Sequence, residues 1–135
     1  MANAPSFAAT VNNNAVTTNA TADTSYTAPT NTATAFTAGA NGSRVDMIRI
    51  NQIITTTTSG IINVFLYDGT NYHFWDFYSY GTGSVSTTSQ IGPIDLIYNN
   101  LVLKTGWSIR VTNTVASATG STAAGFKIVV FGGDF

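Results

Sequence analysis

The chain has 135 residues, no cysteine and one histidine; it carries a formal charge of −1 and is 8% charged against 44% hydrophobic. That length builds one domain with its own core, and the missing cysteines exclude disulfides and Cys-based zinc sites. Without a basic field no nucleic acid is expected as a partner, and without an apolar run of ~20 residues no membrane partner is expected either. The opening MANAPSFAATVNNNAV has no Lys or Arg and no long apolar run, so no secretory leader is expected. Threonine, asparagine and serine stand where charges usually do, which favours pleated sheet over exposed helix.

Residues 1–43 hold no Lys or Arg and a single acid, Asp23. Within residues 1–29 the large apolar groups are Phe7, Val11, Val16 and Tyr26. Ordering ~25 such residues costs on the order of 25–50 kcal/mol, while burying each of these side chains returns about 1.5–3 kcal/mol. Residues 1–29 are therefore expected to be an extended N-terminal arm that orders only on a partner. Residues 30–135 are expected to be the folded domain, and deleting residues 2–28 is expected to leave it intact.

Thr32, Thr34 and Phe36 alternate with Ala33, Ala35 and Thr37, the period of a strand. Gly39-Ala40-Asn41-Gly42 turns the chain. Arg44–Ile53 follows as a strand with Asp46, Ile48 and Ile50 on one face and Val45, Met47 and Arg49 on the other. Thr55–Gly60 is a polar loop and Ile61–Tyr67 a strand. Asp68-Gly69 reads as a tight hairpin turn, with Tyr72–Tyr80 returning antiparallel. Ser84–Gln90 is a weaker strand. Ile94–Tyr98 is a short one, Asn99-Asn100 turns, and Leu101–Leu103 follows; Asp95–Lys104 is the best helix candidate but lacks caps. Trp107–Val115 alternates, Ala116–Thr122 is a loop, and Phe126–Phe131 closes the domain. About eight short strands at this spacing predict an all-β fold, a single antiparallel β-sandwich of jelly-roll-like form.

Candidate chemistry is sparse. His73, the one histidine, lies mid-strand with no nucleophile-elbow glycines beside it and is expected to be a structural strand residue. Asp68-Gly69-Thr70-Asn71 resembles a fragment of a calcium loop, but a hairpin turn accounts for it. Paired carboxylates for glycoside hydrolysis find no convincing set among the six aspartates. No enzyme activity, metal or cofactor is expected.

The segment Tyr72–Tyr80 is the most informative, with six aromatic residues in nine. Strict alternation puts Tyr72, Phe74, Tyr78 and Tyr80 on one face and Trp75 and Phe77 on the other. A half-solvated sheet needs only one apolar face, so one face is expected to meet the core and the other either a partner or a local loop or the arm folded over it.

The order of several motifs carries a resemblance. Phe36-Thr37-Ala38-Gly39-Ala40-Asn41-Gly42-Ser43-Arg44-Val45-Asp46, Ile48-Arg49-Ile50 and Leu66-Tyr67-Asp68-Gly69-Thr70-Asn71-Tyr72 come first. Leu103-Lys104-Thr105-Gly106-Trp107-Ser108-Ile109-Arg110 and Phe131-Gly132-Gly133-Asp134-Phe135 follow. Together, over residues 30–135, they resemble small virion structural proteins of tailed bacteriophages. The resemblance implies a capsid decoration (cement) protein, held on the capsid surface by the major capsid protein and self-associated, with a homotrimer expected. Phe7, Val11, Val16, Tyr26, Tyr72, Phe74, Trp75, Phe77, Tyr78 and Tyr80 are then the candidate contacts to shell or sister subunit. A tail or fibre component that binds carbohydrate through the aromatic strand is the competing expectation.

Overall fold

The structure is a computed structural model and describes residues 8–90, 92–116 and 125–135. The described chain forms eight strands: β1 (Thr10–Thr17), β2 (Ala33–Thr37), β3 (Ser43–Gln52), β4 (Gly60–Tyr67), β5 (Tyr72–Tyr80), β6 (Ile94–Leu103), β7 (Ser108–Asn113) and β8 (Phe126–Asp134). They make two four-stranded antiparallel sheets, sheet A in the order β1-β8-β3-β6 and sheet B in the order β2-β7-β4-β5. Phe36, Val45, Ile48, Ile50, Ile62, Val64, Ile109, Val111, Phe126, Ile128 and Val130 fill the space between them. The fold is thus all-β, two sheets enclosing one apolar layer. No helix among the described residues is long and apolar enough to cross a membrane.

The arm expected over residues 1–29 is corrected in part. Thr10–Thr17 is an edge strand paired with β8 along its whole length. Large apolar side chains alone do not order this segment; backbone pairing and amide side chains carry it. Asn12 and Asn14 point inward and donate to the carbonyls of Thr37 and Ala35, at 3.3 and 2.8 Å. Those carbonyls belong to β2, the edge of the other sheet, so two asparagines close the sandwich where no backbone ladder runs. Val16, next on the same face, packs against the core.

Two further expectations change. Ser84–Gln90 forms no strand; Thr56 and Gly83 make only an isolated bridge. Ile94–Leu103 is one continuous strand, and the expected turn at Asn99-Asn100 is instead a bulge. Val45 pairs with Leu101 and Met47 with Ile97, so Asp46 alone faces three residues of β6. Against β8, Asp46 is itself the extra residue, Val45 pairing with Gly132 and Met47 with Phe131, and this resets the alternation of β3: Val45 and Ile48, placed on opposite faces by strict alternation, are both fully buried.

The β2–β3 turn and the chain end lock together. Gly42 has φ +90° and accepts the Phe135 amide on its carbonyl; a Cβ there would meet the Leu103 carbonyl oxygen at 2.8 Å. The Ser43 hydroxyl and the Asn12 amide both donate to Asp134 Oδ1, which holds that carboxyl below its ordinary range. The Gly39 amide donates in turn to the Ser43 hydroxyl oxygen.

Removing residues 2–17 takes away an eight-residue edge strand, a packed valine worth about 1.5–3 kcal/mol and two amide bonds worth about 1 kcal/mol each. The truncated chain is expected to lose at least ~3 kcal/mol of unfolding free energy in urea denaturation. Asn14→Ala alone is expected to lose about 1 kcal/mol.

Candidate functional site

Ile62, Val64 and Leu66 of β4 face the core, so Asn63, Phe65 and Tyr67 face outward on sheet B. The pairing of β5 shifts at its middle: Val64 pairs with Asp76 and Phe65 with Phe74, leaving Trp75 as the extra residue of a bulge. That corrects the expected division of the strand. Tyr78 and Tyr80 stay inward, whereas Tyr72 and Phe74 move to the outward face with Phe77. Tyr80 is buried and bonds Asn113 Oδ1 at 2.7 Å, and Tyr78 packs on the core, so both serve packing.

The outward rings form a connected set. Phe65 meets Tyr72 and Phe74 edge-on at 6.0 and 5.8 Å, and Phe74 stacks with Phe77 at 6.4 Å. Arg110 lies over Tyr67 at 4.1 Å and donates to the Tyr72 hydroxyl, which ties half-buried Tyr72 down. Phe74 and Phe77 remain 44% and 52% exposed.

Tyr26, on the β1–β2 connection, packs edge-on against Phe74 at 5.2 Å, and the Asp23 amide donates to the Asn113 carbonyl. These contacts bring the connection over part of sheet B. Asp23 organises it: its carboxylate accepts from the backbone amides of Ser25, Thr30 and Asn31. Burial works to raise its pKa, but those amides together hold it below the ordinary value. On the same outward face, Asn63 and Thr112 are fully buried, and neither the Asn63 amide nor the Thr112 hydroxyl finds a hydrogen-bond partner among the described residues.

The bulge throws Trp75 to the open edge between the sheets, where it is 48% exposed and 6.3 Å from Tyr98 of β6. Tyr98 donates to Asp76 at 2.9 Å, bridging the two sheets. Burial, then the neighbouring Asp76 carboxylate, raises the Tyr98 pKa, so it stays a donor.

The outward face of sheet A is a contact surface that the sequence reading does not include. Register places its side chains in rows: Val11, Gly133, Arg44 and Val102; then Asn13, Phe131, Met47 and Ile97; then Ala15, Val129, Arg49 and Asp95. Val11, Ile97, Val102 and Phe131 are 76%, 71%, 58% and 37% exposed. Four charges on or beside this face pair among themselves, Arg44 with Asp46 at 2.8 Å and Arg49 with Asp95 at 2.7 Å. The signal available in the sequence is β8, whose run Phe126-Lys127-Ile128-Val129-Val130-Phe131 is apolar on both faces.

The remaining chemistry is structural. Asp68 Oδ1 accepts from the amides of Thr70 and Asn71, and Oδ2 lies 2.8 Å from His73 Nε2. The Asn71 amide first, then His73 and the Thr70 amide, lower the Asp68 carboxyl to about 2. His73 stacks on Trp107 at 5.8 Å and no serine or threonine hydroxyl bonds it among the described residues. Among those residues no group of three or more His, Asp or Glu side chains is placed to hold a metal ion. Of the expected contacts, Val11, Tyr26, Phe74, Trp75 and Phe77 are exposed and Val16, Tyr72, Tyr78 and Tyr80 are packed; Phe7 lies outside the described residues. Compared with known proteins, the chain matches no family model, no curated protein and no solved structure.

Trp75→Ala is expected to change the stability of the isolated chain by less than ~1 kcal/mol, because the half-exposed indole fills no core space. Asp23→Asn is expected to show a pH signature. A carboxyl lowered in the native state contributes stability in full above its unfolded value, near 3.9, and loses it as pH falls through the native value. Urea midpoints should therefore separate wild type from the variant above about pH 5 and converge in acid.

Proposed function

We propose that this chain is a bacteriophage virion structural protein that decorates the outer surface of the head, as a self-associated β-sandwich. The carrying observation is an electrically quiet sandwich that exposes large apolar side chains on both outward faces: Phe74 and Phe77 on sheet B, Val11, Ile97 and Val102 on sheet A. Single exposed apolar residues need no explanation, but several on each of two opposite faces fit a protein with two partners. A decoration protein has two, the shell and its own copies. The strand orders β1-β8-β3-β6 and β2-β7-β4-β5 support reading the sandwich as a jelly roll, an architecture that viral capsid and lectin domains share. The order of motifs over residues 30–135 supports the phage assignment. Under this reading the major capsid protein meets the Phe74–Phe77 face, and the expected assembly is a homotrimer made in the host cytoplasm.

A second reading rests on Trp75, whose exposed ring beside Tyr98, Asn99 and Asn100 offers a platform of the kind a sugar ring stacks on. It would make the chain a tail or fibre component that binds carbohydrate.

Quantitative mass spectrometry of purified virions separates the two. A copy number equal to, or a simple fraction of, the major capsid protein is expected for decoration. A few copies per particle would move the chain to the tail, and absence from particles would overturn both. Phe77→Asp is expected to abolish binding to undecorated capsids while shifting chain stability by no more than ~0.5 kcal/mol, as for other exposed positions.

A further inference from the structure

We infer that the β1–β2 connection, residues 19–32, is a strap that lifts off sheet B as a unit, and that its closed form masks a strip of the outward face running from Thr112 through Asn63 to Phe77. The identity of the partner that meets this strip rests on the reading above; the strap itself does not.

The strap crosses the strip. Its Asp23 amide donates to the Asn113 carbonyl of β7. Thr114 gives its amide to Ile61 at the start of β4, so the Asn113 carbonyl beside it points the other way, to the β2 side. The ring of Tyr26, three residues on, packs against Phe74 of β5. In the order β2-β7-β4-β5, reaching Phe74 from that side takes the strap across β7 and β4. Register puts Thr112, Asn63 and Phe77 in one outward row, and Arg110, Phe65 and Phe74 in the next. Asn63, Thr112 and Phe65 are 0% exposed although they face outward, as expected of residues beneath the crossing.

Within itself the strap is well tied. The Asp23 carboxylate accepts the amides of Ser25, Thr30 and Asn31 at 3.0, 2.7 and 2.8 Å, and the Ser25 hydroxyl accepts the Ala28 amide at 3.0 Å. To its seat it is tied weakly. Among the described residues the Asp23 amide makes its only hydrogen bond to sheet B. Only Asp23 and Pro29 of the strap are buried, and Tyr26, its largest apolar side chain, stays half exposed. A loop held from within and loosely seated detaches whole, at far less cost than unfolding the sandwich.

The seat supplies the reason to lift. With the strap down, neither atom of the Asn63 amide nor the Thr112 hydroxyl has a partner among the described residues. Each such group carries a desolvation penalty that water removes once the strap rises. The uncovered strip then presents an amide that both donates and accepts, a hydroxyl, and the rings of Phe65, Phe74 and Phe77, uncharged and aromatic as the centre of a protein interface is. Under the reading above, the major capsid protein gains this strip by displacing Tyr26 from Phe74. Binding then draws on the lifted population, so apparent affinity follows the fraction of chains whose strap is up.

Hydrogen exchange of the full-length chain, read amide by amide by NMR, tests the strap. The Asp23 amide reports lifting because its bond runs to the sheet, and the amides of β4 report global unfolding. Wild-type Asp23 is expected to be protected about 100-fold less than β4, with little dependence on low urea because little surface opens. Asn63→Leu and Thr112→Val keep the shape of the seat and remove its unpartnered groups; each is expected to raise Asp23 protection about tenfold. Equal protection and equal urea dependence at Asp23 and β4 would overturn the strap, since the connection would then open only with the whole chain. Unchanged or lower Asp23 protection in both variants would overturn it too, since the pair would then be satisfied with the strap down. Tyr26→Ala, which removes the ring seated on Phe74, is expected to lower Asp23 protection and to tighten binding to undecorated capsids by the same factor. Unchanged or weaker binding by that variant would overturn the masking. A wild-type chain that binds no capsid would sink the decoration reading alone and leave the exchange result standing.

Discussion

Strand β8 pairs with β1 on one side and β3 on the other, and most of the molecule depends on that placement. Strand β8 lies between the first strand and the third, so sheet A cannot assemble until β8 has been made. Its inward residues Phe126, Ile128 and Val130 are fully buried or nearly so and supply one wall of the core. Its final residues bind the β2–β3 turn through Asp134 and Phe135. Pairing so distant in sequence has to meet its loop-closure cost before any contact rewards it, which makes slow, highly cooperative folding the natural expectation.

A neutral chain must close a sandwich without the usual means. Charged edge residues commonly keep sheets from pairing with strangers, but eleven charged side chains do not go far. Amides and bulges take their place. Asn12 and Asn14 satisfy carbonyls of the β2 edge from across the gap between sheets. The bulges at Trp75 and at Asn99-Asn100 interrupt the β5 and β6 edges, and Tyr98 ties one edge to the other through Asp76. The same economy leaves apolar side chains on the outward faces, and the proposed roles grow from that surplus.

Much of the architecture is legible in the residues alone. Thr55–Gly60 and Asp68–Asn71 read as connections because hydroxyl-rich and Asp-Gly segments favour turns; Asp68 caps its own turn by accepting two amides. β4, β5, β7 and β8 follow from apolar alternation bounded by those turns. β1 does not, because VNNN carries no strand periodicity of apolar residues. Its asparagines make sense as inward residues only when the carbonyls of β2 stand opposite. The aromatic strand is legible as two-faced, but strict alternation divides its faces wrongly. One extra residue in a strand reverses the side of everything beyond it, and an extra residue shows only against its partner strand.

The sequence by itself determined the all-β class, the main turns, the single core and the near-absence of ionic surface. All of these follow from local conformational preference and from composition. The tertiary structure alone decided which side each aromatic takes, that the Asn-rich start is a strand, and that Val11, Val102 and Ile97 share one face with Phe131. Those outcomes depend on register between strands tens of residues apart. Register is a property of pairs of segments, and no single segment carries it.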